Sequence, residues 1–142
     1  MPSLAISALL LVSISHTADA SDWAQWRGPN RDAKSQETGL LDTWPEDGPP
    51  LTWKATGVGG GYSSIALANG RIFTMGDLDD GSYVIVLNEA DGLPIWQTRI
   101  GEAGGHKRYP GPRGTPTIDG GDVFVLNQCA DLVCLDAESG ET

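Results

Sequence analysis

The densest run of chemistry-bearing side chains in this 142-residue chain holds Glu102, His106, Lys107, Arg108 and Tyr109, closed by Gly111-Pro112-Arg113-Gly114. A cationic and aromatic cluster of this kind could hold a carboxylate-bearing ligand, a quinone or an acidic peptide. Guanidinium groups would pair with carboxylates and the ring faces would carry apolar or cationic groups. Arg113 is the most constrained member, because Pro112 and Gly114 restrict where it points. His106 reads as a solvent-exposed histidine rather than a ligand or base. The same residue types also build an ordinary solvated loop with incidental charge, which is the plainer reading of this stretch.

Other candidates are thinner. Asp77, Asp79 and Asp80 offer carboxylates for calcium, but an acidic hairpin tip accounts for them as well. Trp23, Trp26 and Trp44 could form a carbohydrate platform, although aromatic burial along an irregular segment is simpler. Gly57 to Gly61 lacks the strand, helix and Lys context of a phosphate loop, and there is no Gly-x-Ser-x-Gly elbow. Cys129 and Cys134 lack a zinc-ligand pattern. Their placement predicts an unpaired loop thiol at Cys129 and a small, buried residue at Cys134. No residue is assigned a catalytic or metal-binding role on these grounds.

What must position the cluster is a repeat. Ser64 to Met75 aligns with Thr115 to Leu126 at an offset of 51, and Leu87 to Gly92 aligns with Leu135 to Gly140 at an offset of 48. The connection between the two echoes is therefore three residues longer in the first copy. A period of about 40–50 residues with strand-type content marks a radially repeated sheet. Each copy predicts an inner strand (64–68 and 115–119), a tight turn (Asn69-Gly70 and Gly120-Gly121), and a second strand (71–75 and 122–126). A polar turn over 76–82 then leads to a third strand (83–88 and 132–136), and an outer strand follows at 93–99.

The repeated motif has structural work. Asn88 and Asp136 can accept hydrogen bonds from backbone amides two residues on, Ser139 and Asp91 can do the same, and Gly92 and Gly140 supply a positive φ. Trp96 then falls on the outer strand, where its ring can pack over the neighbouring sheet and its N–H can reach a carbonyl. Leu51-Thr52-Trp53-Lys54 resembles the Trp96 strand and predicts an outer strand with no sheet before it. The cationic cluster is where the repeat breaks: eleven residues separate Trp53 from Ser64, but nineteen separate Trp96 from Thr115.

Composition bounds the class. Nineteen acidic against nine basic residues give a formal net charge of −10, which disfavours nucleic acid and anionic membranes as partners. Short apolar runs punctuated by 19 Gly and 9 Pro point to an all-β protein. Leu4 to Ile14 followed by Ala18-Asp19-Ala20 reads as a secretory signal over residues 1–20, although no Lys or Arg precedes it. No Cys follows it that would suggest a lipid anchor. Export to the periplasm or outside the cell, with no transmembrane segment in the mature chain, is the expectation. Residues 21–50 read as an irregular segment anchored by Trp, and residues 51–142 as a partial propeller with blades near 62–99 and 114–142.

The pattern Leu-Asp-Ala-x-Ser/Thr-Gly-x-x-x-Trp, seen at Leu87 to Trp96 and again from Leu135, resembles the tryptophan-docking repeat of the pyrroloquinoline-quinone-type β-propellers. Asn88 stands where that repeat usually has Asp, and Asp91 where it has Ser or Thr. The opening Asp22-Trp23-Ala24-Gln25-Trp26-Arg27-Gly28-Pro29-Asn30-Arg31-Asp32 resembles a group of exported bacterial propellers, most without an assigned activity. The resemblance covers roughly residues 22–142 and implies four-stranded antiparallel blades around a ring, its closure completed by the N-terminal strand. Two blades do not close a ring of four to eight, so the chain is expected to be a portion of a longer product. On its own it is expected to fold poorly or self-associate.

The resemblance implies three alternatives. One is a non-enzymatic scaffold binding proteins, peptides or a small ligand, similar to the propeller lipoprotein of the outer-membrane barrel-assembly machinery. Another is part of a quinoprotein alcohol or sugar dehydrogenase using pyrroloquinoline quinone with calcium. That enzyme would need calcium ligands and a base from further blades, and the adjacent-cysteine disulfide of those enzymes is absent here. The third is a sensor ectodomain.

Overall fold

The computed structural model describes residues 21–142, so the predicted signal segment lies outside the described residues. These residues form nine β-strands and no helix. Strands β1 (Ala66–Ala68), β2 (Arg71–Leu78), β3 (Gly81–Asn88) and β4 (Pro94–Gly101) make one antiparallel sheet in that order. Strands β5 (Gly105–His106) and β6 (Tyr109–Pro110) pair as a small hairpin. Strands β7 (Thr117–Asp119), β8 (Asp122–Leu126) and β9 (Leu132–Asp136) make a three-stranded antiparallel sheet.

The sequence offsets reappear as registers. Phe73 pairs with Val86 and Met75 with Val84 in the first sheet; Phe124 pairs with Cys134 and Leu126 with Leu132 in the second. Ala66 sits opposite Phe73 as Thr117 sits opposite Phe124. The turns follow the expected chemistry. Asn69 and Gly70 both have positive φ (53° and 71°), the geometry that an Asn-Gly hairpin favours. The Asn88 Oδ1 accepts from the Ala90 amide (2.8 Å), and Asp136 Oδ1 accepts from the Glu138 and Ser139 amides (3.0 and 2.7 Å). Asp91 Oδ1 and Ser139 Oγ then accept from Leu93 and Glu141.

The two sheets stack. Alternation along a strand sends alternate side chains to opposite faces, so Phe73, Met75, Val84 and Val86 share one face of the first sheet. That face packs on Val123, Val125, Val133 and Leu135 of the second, together with Trp96 and Ile100. Phe73 meets the Trp96 ring edge-on, with centroids 6.2 Å apart at 71°, a contact worth about 0.5–1.5 kcal/mol beyond area burial. Trp96 bridges the sheets: its Nε1–H donates to the Ala137 carbonyl (3.3 Å) and its ring lies against Gly140. Trp53 repeats this on the first sheet, donating to the Glu89 carbonyl (3.0 Å) with its ring against Gly92. Residues 89 and 92 are the counterparts of 137 and 140 at the 48-residue offset.

Four expectations are corrected. The polar turn over 76–82 is mostly strand, because β2 and β3 extend to a two-residue turn at Asp79-Asp80. The three extra residues of the first copy thus lengthen strands, whereas the second copy spans the same gap with a loop held by Asn127. Leu51-Thr52-Trp53-Lys54 forms no strand, since no neighbour among the described residues offers it a ladder. Cys134 is exposed, because nothing packs on its face of the second sheet; both cysteines are free and exposed. Trp26 and Trp44 are exposed rather than anchoring, at 61% and 69%.

Trp23 alone anchors the N-terminal segment. Its amide and carbonyl bond reciprocally with Leu67 (2.8 and 3.0 Å), and the Ala24 carbonyl accepts from Ile118 (2.8 Å). The segment therefore spans the innermost strands of both sheets.

Candidate functional site

The break in the repeat is built as a clamped base and a projecting hairpin. At the base, Asp77 at the end of β2 accepts from the Gly104 amide (2.8 Å) and from Gln128 Nε2 (3.1 Å). Gln128 also donates to the Glu102 carbonyl (3.2 Å), and the Ser82 hydroxyl donates to Gln128 Oε1 (3.4 Å). Arg99 Nη2 pairs with Glu102 at 2.6 Å, the single ion pair among the described residues. Hydrogen bonding to the Glu102 carboxylate, then its charge, raises the Arg99 pKa above its ordinary value.

From this base the β5–β6 hairpin turns at Lys107-Arg108, and Gly111 donates back to the Gly104 carbonyl (2.7 Å). The Arg108 amide donates to His106 Nδ1 (3.2 Å), which tightens the turn. The His106 ring stacks on Tyr109, with centroids 6.1 Å apart at 23°. Arg108 places its guanidinium carbon 5.7 Å from the Tyr109 ring centre, within cation–π range. Arg113 Nη2 donates to the Tyr109 carbonyl. All four predicted site residues, His106, Arg108, Tyr109 and Arg113, thus gather around Tyr109.

Sequence reasoning missed Tyr62. Its amide donates to the Pro112 carbonyl (2.7 Å), and its ring meets Tyr109 edge-on at 6.1 Å and 73°. Tyr62, Tyr109 and Arg113 line a shallow recess of about 350 Å³. The offset of 51 held the clue, since it superposes Tyr62 on Arg113. The two connectors leading to β1 and β7 run side by side and present equivalent positions to one another. Tyr62 is 58% and Tyr109 46% exposed, so two aromatic faces stand open beside a guanidinium.

A second recess, about 420 Å³, is lined by Gln25, Trp26, Arg27, Arg31 and Thr117. Arg31 Nε donates to Gln25 Oε1 (3.1 Å), which holds the guanidinium beside the exposed Trp26. Composition gave no reason to single out Arg27 or Arg31, whose convergence follows from the turns between Gln25 and Ala33.

The acidic cluster does not form a calcium donor set. The Asp77 carboxylate is occupied as the clamp described above. Asp80 faces the Tyr83 hydroxyl, 3.1 Å from both carboxylate oxygens. Loss of hydration, then that hydrogen bond to Asp80, raises the phenol above its ordinary value. No group of three or more His, Cys, Asp or Glu among the described residues is placed to hold a metal ion. The residues present therefore do not fit the calcium site that a quinone-dependent dehydrogenase requires. No helix among the described residues is long and apolar enough to cross a membrane. No protein-family model and no curated protein matches this sequence.

Proposed function

We propose that this chain is an exported β-propeller repeat module that binds rather than catalyses, and that its partner is an acidic peptide segment of another protein. The observation that carries this is the open Tyr62–Tyr109 pair with Arg113 at its edge. An apolar or aromatic side chain of the peptide enters between the two rings, and an adjacent carboxylate meets the guanidinium, whose planar donors suit carboxylate geometry. Arg108 and Lys107 at the hairpin tip add attraction at longer range. The exposed rings lose little conformational freedom on binding, since each has only two rotatable side-chain bonds. The twofold repeat of register and of Trp docking supports the propeller reading, and each four-stranded unit would be a blade. The dehydrogenase reading lacks support in the carboxylates that these residues provide.

The test is calorimetric titration of the chain with a short peptide containing Phe flanked by Glu residues. Arg113→Gln should weaken binding about tenfold or more, as loss of one charge-assisted hydrogen bond at a partly desolvated site does. Tyr109→Ala should weaken it comparably, while Lys34→Gln, remote in sequence, should leave it unchanged. Equal affinity of wild type and Arg113→Gln would refute the site. Reduction of a redox dye in the presence of pyrroloquinoline quinone, Ca²⁺ and an alcohol or sugar would refute the binding-only role.

A further inference from the structure

The interface between the two sheets has two halves, and each half occurs a second time in the chain without its complement. The first half is the face Phe73, Met75, Val84 and Val86, at most 3% exposed beneath the second sheet. Its counterparts at offsets 51 and 48 are Phe124, Leu126, Leu132 and Cys134. These form one face of the second sheet by their register, and they lie open: 39%, 52% and 75% for the first three. That is the same apolar platform with nothing seated on it. Beside it, β9 has no strand on its outer edge, whereas β3 is completed by β4.

The other half is what the second sheet presents to the first. There, β4 carries Trp96 down onto the Ala137–Gly140 turn, and Thr98 Oγ1 donates to the Gly140 carbonyl (2.7 Å). Ile100 and Gly101 continue towards Asn127 and Asp131. Residues 53–60 follow that same course over the first sheet. Trp53 docks at Glu89 and Gly92, Trp53, Ala55 and Val58 cover Ile72, Ile85 and Leu87, and Gly60 bonds reciprocally with Asp77. The segment runs as a fourth strand would, yet it has no third strand beside it.

We propose that these halves join between copies of this chain. Residues 53–55 of one copy complete β9 of the next, and the Phe124–Leu126–Leu132–Cys134 face seats on the first sheet of that neighbouring copy. The pairings of Val84 with Thr98, Ile85 with Gln97 and Val86 with Trp96 in the first sheet fix the expected register. Leu132 meets Ala55, Val133 meets Lys54 and Cys134 meets Trp53. No displacement of residues 53–60 is needed, because the intramolecular interface already accommodates the equivalent strand and face together. The contact is head to tail, so it propagates until it closes. Closed rings of this architecture take about four to eight sheets, which corresponds to about two to four copies. The inference does not rest on the peptide site.

The test combines association with register. In a Cys129→Ser, Cys134→Ser background, one batch carries Ala55→Cys and a second Leu132→Cys. Directly paired strand residues lie about 4.5–5.5 Å apart at Cα, inside the range of a disulfide. Mixing the two batches under mild oxidation should give a covalent dimer, which can arise only between copies. Light scattering of the unsubstituted chain should give a discrete oligomer. Leu132→Lys, at an exposed position, should shift it to monomer with at least tenfold weaker association and an unchanged circular-dichroism spectrum. A monomer at all concentrations, an oligomer that survives Leu132→Lys, or mixed batches that do not cross-link would each overturn the proposal.

Discussion

Asp136 and Asn88 close equivalent turns with different charge, which makes the pair an internal control for pH. Hydrogen bonds from the Ser139 amide and hydroxyl, then from the Glu138 amide, hold the Asp136 carboxyl below its ordinary value, with Arg71 assisting. A folded-state pKa below the unfolded one contributes stability above the unfolded value, near 4, and that contribution is lost as pH falls through the folded value. Asn88 makes the corresponding bond to Ala90 without a titrating group. Asp136→Asn should therefore keep the turn and flatten the loss of thermal stability between about pH 4 and 2.5. Melting curves across that range check it; a wild-type acid limb no steeper than that of Asp136→Asn would remove the carboxylate from the account. Asp136→Ala, which loses the acceptor, should lower the melting temperature at every pH. The same scale explains why Arg113 was legible and Tyr62 was not. Arg113 lies inside the charged stretch, whereas Tyr62 acquires meaning only through Tyr109, far along the chain.

The unit of this fold is an indole docked on the turn of the next sheet, and a glycine makes the seat. A Cβ on Gly140 would stand 2.7 Å from Trp96 Cε3 and 2.8 Å from Thr98 Oγ1, at a φ of 75°. Gly140→Ala should cost about 1–3 kcal/mol through backbone strain and the displaced ring. Tryptophan emission should shift red and the denaturation midpoint should fall; an unchanged midpoint would show that the indole seat contributes nothing to stacking. This docking was readable in advance because spacing alone carries it: turn residues, glycine and indole recur in fixed order. The misread elements are those in which local composition and tertiary contact disagree. Gly76 and Asp77 look like the start of a turn, yet they lie within β2. A Cβ on Gly76 would collide with the Val58 carbonyl, so the glycine admits a crossing backbone, and Asp77 clamps the loop that carries the site. Leu51–Lys54 has strand composition, but a strand needs a ladder and the described chain gives it none. Cys134 has an inward position in its repeat but no covering sheet. Each of these depends on a neighbour that local sequence does not specify.

At the scale of the molecule, charge separates the two proposed interactions. Each copy carries a formal net charge of −10, so copies approaching head to tail repel, while the Phe124–Leu126–Leu132 face that joins them is apolar. Raising the salt from about 0.01 M to 0.1 M shortens the screening length from about 30 Å to 10 Å, which removes much of that repulsion and leaves apolar burial intact. Association measured by sedimentation should therefore strengthen over that range. The acidic peptide is drawn to Arg113, Arg108 and Lys107, and its affinity should weaken over the same range, because screening reduces attraction between exposed opposite charges. Opposite salt responses mean that the oligomer is not held by the peptide site. If association instead weakened with salt alongside peptide binding, the cationic hairpin of one copy meeting the acidic surface of another would be the better account of both, and the apolar face would need a different occupant.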